Sequence, residues 1–206
     1  MSPRTINRYG IVSDAPPMKF HKNPVPMICD QCDQLGKLLD EYRFEMKRIG
    51  SDENLTAAGK LQKLSPITEK MKERLGNLKK DPRFRVHGIE ATQKELAIPQ
   101  PSTGNESVDF LRRREIRDRL QGMDKVNRLE MVLNSDNPEL LFAVLESPIP
   151  FPDVSKKDVE GILARMGEKL APEAADRLYD LNAIQETISV NWQSAENYLQ
   201  DSLARF

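Results

Sequence analysis

Apolar residues in the N-terminal half of the chain recur at helical spacing. Between residues 28 and 49 the steps alternate between four and three, which is typical of a helix packed against another helix. This seam consists of Ile28, Cys32, Leu35, Leu39, Tyr42, Met46 and Ile49. The sequence therefore predicts a first helix that begins near Ile28 and is buried along one face.

A second apolar stripe follows the turn sequence GSDEN. It consists of Leu61, Leu64, Ile67, Met71, Leu75 and Leu78. Thr56 is placed to cap this helix at its N-terminus, and Pro66 predicts either a kink or a new helix capped by Ser65. Together the two stripes predict an antiparallel helical hairpin over residues 28–80.

The strongest helical pattern lies at the C-terminal end of the sequence. From Pro172 onward every apolar step is three or four, and no proline or glycine intervenes before Phe206. The stripe consists of Ala174, Leu178, Leu181, Ile184, Ile188, Trp192, Ala195, Leu199 and Leu203. It predicts one amphipathic helix about 50 Å long, which must bury its stripe against other helices or another subunit.

Shorter helices are expected between residues 107 and 171. Ser107 is the expected cap of the first of them, and Pro138 is expected in the first turn of another. Ser155 with Asp158 forms the sequence pattern of a capping box, just after the extended elbow PIPFP. Residues 107–206 are therefore predicted to form a helical C-terminal domain.

Two segments lack a helical period. Residues 1–27 contain five prolines and predict an extended arm with apolar anchors at Ile6, Tyr9, Ile11, Met18 and Phe20. We expect these anchors to order the arm against a neighbouring protein, the alternative being an arm packed along its own chain. Residues 81–106 contain three prolines and two glycines and predict a linker, with a short edge strand considered at residues 83–90.

These patterns together predict an all-α fold. It consists of a helical hairpin and a multi-helix C-terminal half that ends in a long amphipathic helix, preceded by an extended proline-rich N-terminal arm. The predicted boundaries are 1–27 for the arm, 28–80 for the hairpin, 81–106 for the linker and 107–206 for the C-terminal domain.

Composition narrows the partners that this fold is expected to bind. Thirty-one basic residues stand against 32 acidic ones, so no global charge favours nucleic acid or an anionic membrane. Five arginines between residues 112 and 119 are partly offset by three acidic residues in the same helix, which favours a solvated or protein-facing helix over a nucleic-acid element. No apolar run approaches the roughly 20 residues of a membrane span, and the N-terminus has no apolar signal region. We therefore expect protein partners, synthesis in the cytoplasm and reduced thiols.

The two cysteines, Cys29 and Cys32, form a C-x-x-C pattern with three interpretations. Packing thiols are favoured, since Cys32 lies in the helical seam. Zinc would need further ligands, for which only His21 and His87 are candidate histidines, and a redox pair would need a strand before the helix. No motif of a catalytic or phosphate-binding site is present. We predict a protein that is not an enzyme, with no catalytic residue, cofactor, metal or small-molecule substrate.

Two stretches carry a resemblance to a known class of proteins. LTAAGKLQKLSPITEKMKERLGNL, and LLFAVLESPIPFPDVSKKDVEGI followed by a long helix with an internal Asn-Trp pair, are similar to segments of small helical virion or assembly proteins of tailed bacteriophages. The resemblance implies a structural protein of the virion, at the head, the portal or the head–tail junction (connector), present as an oligomer. It implies as partners copies of the chain itself or other virion proteins.

From this resemblance and the helical pattern we expect the arm, the linker and the amphipathic helices to bind neighbouring subunits. The predicted contacts are the five arm anchors and Trp192. The alternative is a soluble helical adaptor or regulatory protein that binds one partner through its hairpin.

Overall fold

The structure is a computed structural model that describes residues 7–12, 18–19 and 26–204. Within these residues it contains eight α-helices, one short 3-10 helix and no β-strand, so the predicted all-α fold is confirmed. The α-helices are α1 (Pro26–Gly50), α2 (Ala57–Lys79), α3 (Ile89–Leu96), α4 (Glu106–Gln121), α5 (Lys125–Leu133), α6 (Pro138–Leu145), α7 (Lys156–Leu170) and α8 (Pro172–Leu203). The 3-10 helix is Pro82–Phe84.

The chain forms two compact units whose boundaries differ from the predicted domains. Unit 1 contains the described residues up to Ile89 and those from Asp176 onward, and unit 2 is Glu90–Ala175. The long C-terminal helix therefore belongs mainly with the hairpin, and not with the preceding short helices. The segment predicted as a linker is also partly helical, since it holds the 3-10 helix and α3, and no strand forms at residues 83–90.

Unit 1 is built on the predicted seam of α1. Five of its seven positions are buried and the remaining two, Cys32 and Met46, are partly buried against the same core. α2 contributes Leu64, Met71 and Leu75 to this core, and α8 contributes Ile184, Ile188, Trp192, Ala195 and Leu199. The hairpin thus buries the stripe of the long helix that could not be buried alone.

The α2 helix begins where its sequence predicts, and it contains an internal proline. The Thr56 side chain accepts a hydrogen bond from the Gly59 amide at 3.2 Å, which confirms the predicted cap. The helix continues through Pro66 without interruption, so Ser65 does not begin a new helix. Leu61 is the one predicted stripe position that is exposed.

Unit 2 packs α4 against α6, and α6 and α5 against α7. Its core consists of Leu120, Val132, Leu141, Val144, Phe151, Val154, Val159 and Ile162. Ser155 and Asp158 form the predicted capping box, whereas α4 is capped by Asn105 and not by Ser107. Asparagine and serine are both favoured at this capping position. Because the Asn105 side chain accepts from the amides of Ser107 and Val108, α4 begins two residues earlier than predicted.

Gly167 lies where α7 passes close to the end of α3. A Cβ atom built on this glycine would lie 2.0 Å from the backbone oxygen of Leu96 at the end of α3. That distance is far below any real contact, so α7 can pass this carbonyl only because residue 167 has no side chain.

Candidate functional site

The structure places the predicted partner contacts inside the chain or outside the described residues. Tyr9 and Ile11 belong to the core of unit 1, as does Trp192, whose ring meets that of Phe84 edge-on at 5.8 Å. Met18 is partly buried against the same core. Ile6 and Phe20 lie outside the described residues. In its described part the arm thus packs along its own chain, which is the second of the two arrangements considered from the sequence.

A buried polar cluster explains why residues 7–12 are held there. The Asn191 side chain in α8 accepts from the Val12 amide at 2.7 Å and donates to the Val12 carbonyl at 3.1 Å. It also donates to Gln31 in α1, whose own amide group donates to the Ile188 carbonyl. Because these groups satisfy one another away from water, the turn formed by residues 7–12 is held between α1 and α8.

The two cysteines occupy different environments. Cys29 is exposed, whereas Cys32 is half-buried and its thiol donates to the Val12 carbonyl at 3.1 Å. Burial raises the pKa of the Cys32 thiol to about 11, which keeps it protonated at neutral pH. Cys32 is therefore a packing and hydrogen-bonding group rather than a reactive thiolate.

Unit 2 has a surface depression along α4. Two adjoining hollows meet at Phe110, Arg117 and Glu146, and we call them together the α4 cleft. One wall is α4 itself, and the other is the elbow that follows α6, where Ser147, Pro148 and Ile149 line the larger hollow of about 480 Å³. The elbow is fixed because the buried Ser147 hydroxyl donates to the Ile149 carbonyl at 2.6 Å.

Apolar side chains at the rim of the cleft are exposed. Phe110 is 58% exposed and Ile149 is 65% exposed, although both are large apolar residues. Val108 and Leu111, on the same helix as Phe110, are exposed as well. Apolar exposure gathered around a concave surface is a mark of binding sites in proteins.

Most charged groups in the cleft have partners within the protein. Arg113 donates to Glu146 at 3.1 Å and to the Pro101 carbonyl at 2.7 Å, and Gln100 donates to the other oxygen of Glu146. Arg114 lies 3.7 Å from Asp118. An arginine other than Arg117 therefore lies next to each of Glu146 and Asp118.

Arg117 is the exception. It lies at the junction of the two hollows and is 8% exposed, yet within the described residues it makes no hydrogen bond and no ion pair. The guanidinium lies over the ring of Phe110, with 5.9 Å between its central carbon and the centre of the ring. The nitrogens of its guanidinium are not fully sealed from solvent, so they are reachable from the cleft.

Asp109 lines the smaller of the two hollows. Its carboxylate accepts from the Ser102 hydroxyl at 2.7 Å, and from the Thr103 hydroxyl at 2.7 Å and the Thr103 amide at 2.9 Å. These hydrogen bonds, with that of Ser102 the largest cause, lower the pKa of Asp109 to about 2. The carboxylate thus ties the segment before α4 to the helix in its ionised form.

The pKa of Asp109 predicts how the stability of unit 2 depends on pH. Because the folded pKa lies below the ordinary value, the carboxylate stabilises the fold above about pH 4, and this contribution is lost as pH falls towards 2. Urea unfolding of the wild type and of Asp109→Asn from pH 6 to 2 should show a stability difference that shrinks with acid. Asp136→Asn removes an exposed carboxylate of the same unit and serves as the control. A difference that is constant over this range would contradict the prediction.

The sequence indicated that α4 faces solvent or a protein, but it did not single out Arg117. Five arginines with three acidic neighbours predicted a solvated or protein-facing helix, which is consistent with the exposed rim. The sequence could not separate Arg117 from Arg113 and Arg114. Its position seven residues after Phe110, on the same helical face, was the one available signal.

Comparison of the chain with protein-family models, with curated proteins and with solved structures gave no match. Over residues 7–12, 18–19 and 26–204, none of the helices has both the length and the apolar character needed to span a bilayer. The same residues contain no group of three or more His, Cys, Asp or Glu side chains placed to hold a metal ion. The α4 cleft is therefore the feature on which we base a functional proposal.

Proposed function

We propose that this chain is a non-enzymatic structural protein that binds neighbouring subunits through the α4 cleft, as a component of a bacteriophage virion. The observation that carries the proposal is the exposure of Phe110 and Ile149 beside the partly sealed Arg117. Aromatic and arginine side chains around a concave surface are typical of the residues that dominate protein–protein binding. The virion as the assembly is supported by the two sequence stretches described above.

The adaptor function remains the second candidate because unit 1 offers a surface of its own. Phe44 on α1 is 67% exposed, and a shallow hollow between α1 and α2 is lined by Gln34, Lys37, Glu41 and Arg74. Glu41 and Arg74 pair with each other there at 2.5 Å. A partner that binds the hairpin would contact this face and not the α4 cleft.

Sedimentation of assemblies from cells that produce the protein tests the two candidates. A structural component should travel with the particles through high salt, and Phe110→Ala with Ile149→Ala should reduce its incorporation at least about tenfold. Phe44→Ala is the matched control, since it also removes an exposed phenylalanine ring.

Three results would count against the structural proposal. Wild-type protein that is absent from the particles would reject it outright, and protein that washes off in high salt would favour the adaptor. Loss of binding on Phe44→Ala, with normal binding of the cleft variant, would move the interface to the hairpin. Circular dichroism of each variant shows whether its helices are retained.

A further inference from the structure

Within the described residues, no hydrogen bond or ion pair neutralises the charge of Arg117. A guanidinium moved out of bulk water costs free energy unless hydrogen bonds replace its hydration, and buried arginines are accordingly almost always paired. In the described part of the chain Glu146 is engaged by Arg113 and Gln100, and Asp118 lies beside Arg114. Arg117 thus retains donors for a group from outside, and Phe110 covers one side of it.

From this arrangement we propose that the α4 cleft binds an acidic peptide segment of a partner protein, with a carboxylate on Arg117 and apolar side chains on Phe110 and Ile149. The inference rests on the proposed protein-binding function and specifies the chemistry of the partner. A carboxylate accepts two parallel hydrogen bonds from the fork of a guanidinium, which gives both strength and orientation.

The charge balance of the cleft favours a carboxylate over a phosphate group. Within the described residues, the Arg117 guanidinium has neither a hydrogen bond nor an ion pair, and its single positive charge matches the single negative charge of an aspartate or glutamate side chain. A phosphate group carries about two negative charges, and one of them would remain unmatched at Arg117. The carboxylates of Asp109 and Glu106 also line the cleft, eight and eleven residues from Arg117 on α4, which is about 12 and 16 Å along the helix axis.

The size and rim of the cleft favour a peptide over a free carboxylic acid. The larger hollow, of about 480 Å³, has room for more than one side chain. Phe110 and Ile149 stand at its edge with most of their surface exposed, so apolar neighbours of the acidic residue would bury them. Burial of this apolar surface would add affinity to the charged contact.

A pair of synthetic peptides that differ in one group tests the proposal. Acetyl-Ala-Leu-Glu-Leu-Phe-Ala-amide and its Gln counterpart are titrated into the full chain, and binding is followed by the chemical shifts of the arginine Nε–Hε groups. We expect the Glu peptide to bind about tenfold more tightly than the Gln peptide, in line with a charge-assisted hydrogen bond. The signal that disappears in Arg117→Gln should be the one that moves most.

Substitutions of Arg117 test whether this residue causes the preference for the Glu peptide. Arg117→Gln should abolish the difference between the two peptides, and Arg117→Lys, which keeps the charge but not the fork, should retain part of it. Arg112→Gln makes the same charge change at an exposed position on α4 outside the cleft and should leave the difference intact.

The results that would overturn the inference are distinct from those that reject the proposed function. Equal binding of the two peptides, no binding of either, or an unchanged preference in Arg117→Gln would each reject the carboxylate site. Displacement of the Glu peptide by inorganic phosphate at lower concentration than by acetate would instead assign the site to phosphate groups. Particle sedimentation that still depends on Phe110 and Ile149 would leave the protein-binding function standing in all of these cases.

Discussion

Replacement of Trp192 by alanine is expected to destabilise unit 1 by roughly 3–5 kcal/mol. The indole is 8% exposed and packs edge-on against Phe84, so its removal opens a cavity where α8 meets the segment after α2. The surrounding helices cannot close this cavity fully because Ile188 and Ala195, one turn away on either side, are themselves buried. Denaturant unfolding followed by circular dichroism measures the loss.

Phe44→Ala is the matched control for this variant, since it deletes a large aromatic side chain that is 67% exposed on α1. It should change the stability by no more than about 0.5 kcal/mol. The wild-type protein offers an independent check, because Trp192 is its single tryptophan. Native fluorescence at the wavelength of a fully hydrated indole would contradict the buried position and with it the predicted loss.

Gly167→Ala is expected to destabilise unit 2 by about 3 kcal/mol. The new methyl group would overlap the Leu96 carbonyl at 2.0 Å, and a backbone atom cannot rotate away as a flexible side chain can. The end of α3 must therefore separate from α7, and the packing between the two is lost. Thermal and denaturant unfolding of the full chain should both show the change.

Gly161→Ala provides a control in the same helix. A Cβ at residue 161 meets nothing within 4 Å, so the substitution should stabilise α7 by up to about 1 kcal/mol through helix propensity alone. The two variants add the same methyl group and should shift the stability in opposite directions. Shifts of the same sign and size would show that the contact with Leu96 is not tight.

The helices could be predicted because their signals are local. The seam from Ile28 to Ile49, the cap at Thr56 and the uninterrupted stripe after Pro172 each depend on residues within a few turns of one another. The partner of each apolar face is not encoded in this way. Nothing in its periodicity says that the stripe of α8 packs on α1 and α2 across more than eighty intervening residues.

The arm and the cleft were beyond sequence reasoning for the same physical reason. The prolines before α1 predict an extended arm, but they do not show what residues 7–12 pack against: the group that holds Val12 is Asn191, 179 residues away. In the same way, composition counts the arginines of α4 and their acidic neighbours without showing which of them pair. Arg117 becomes distinctive only when Glu146 and Asp118 are seen to be engaged by other residues.

The discontinuity of unit 1 has a consequence for biosynthesis. Its first part emerges from the ribosome early, but the side chain that binds Val12 and the apolar stripe that completes the core arrive only with α8. Unit 2 is continuous in sequence and can fold as it emerges, as domains generally do during synthesis. Until α8 has been synthesised, Leu35, Leu39 and Tyr42 of the nascent hairpin are incompletely covered. During this interval we expect the hairpin to be the part of the chain that chaperones bind and that is prone to aggregate.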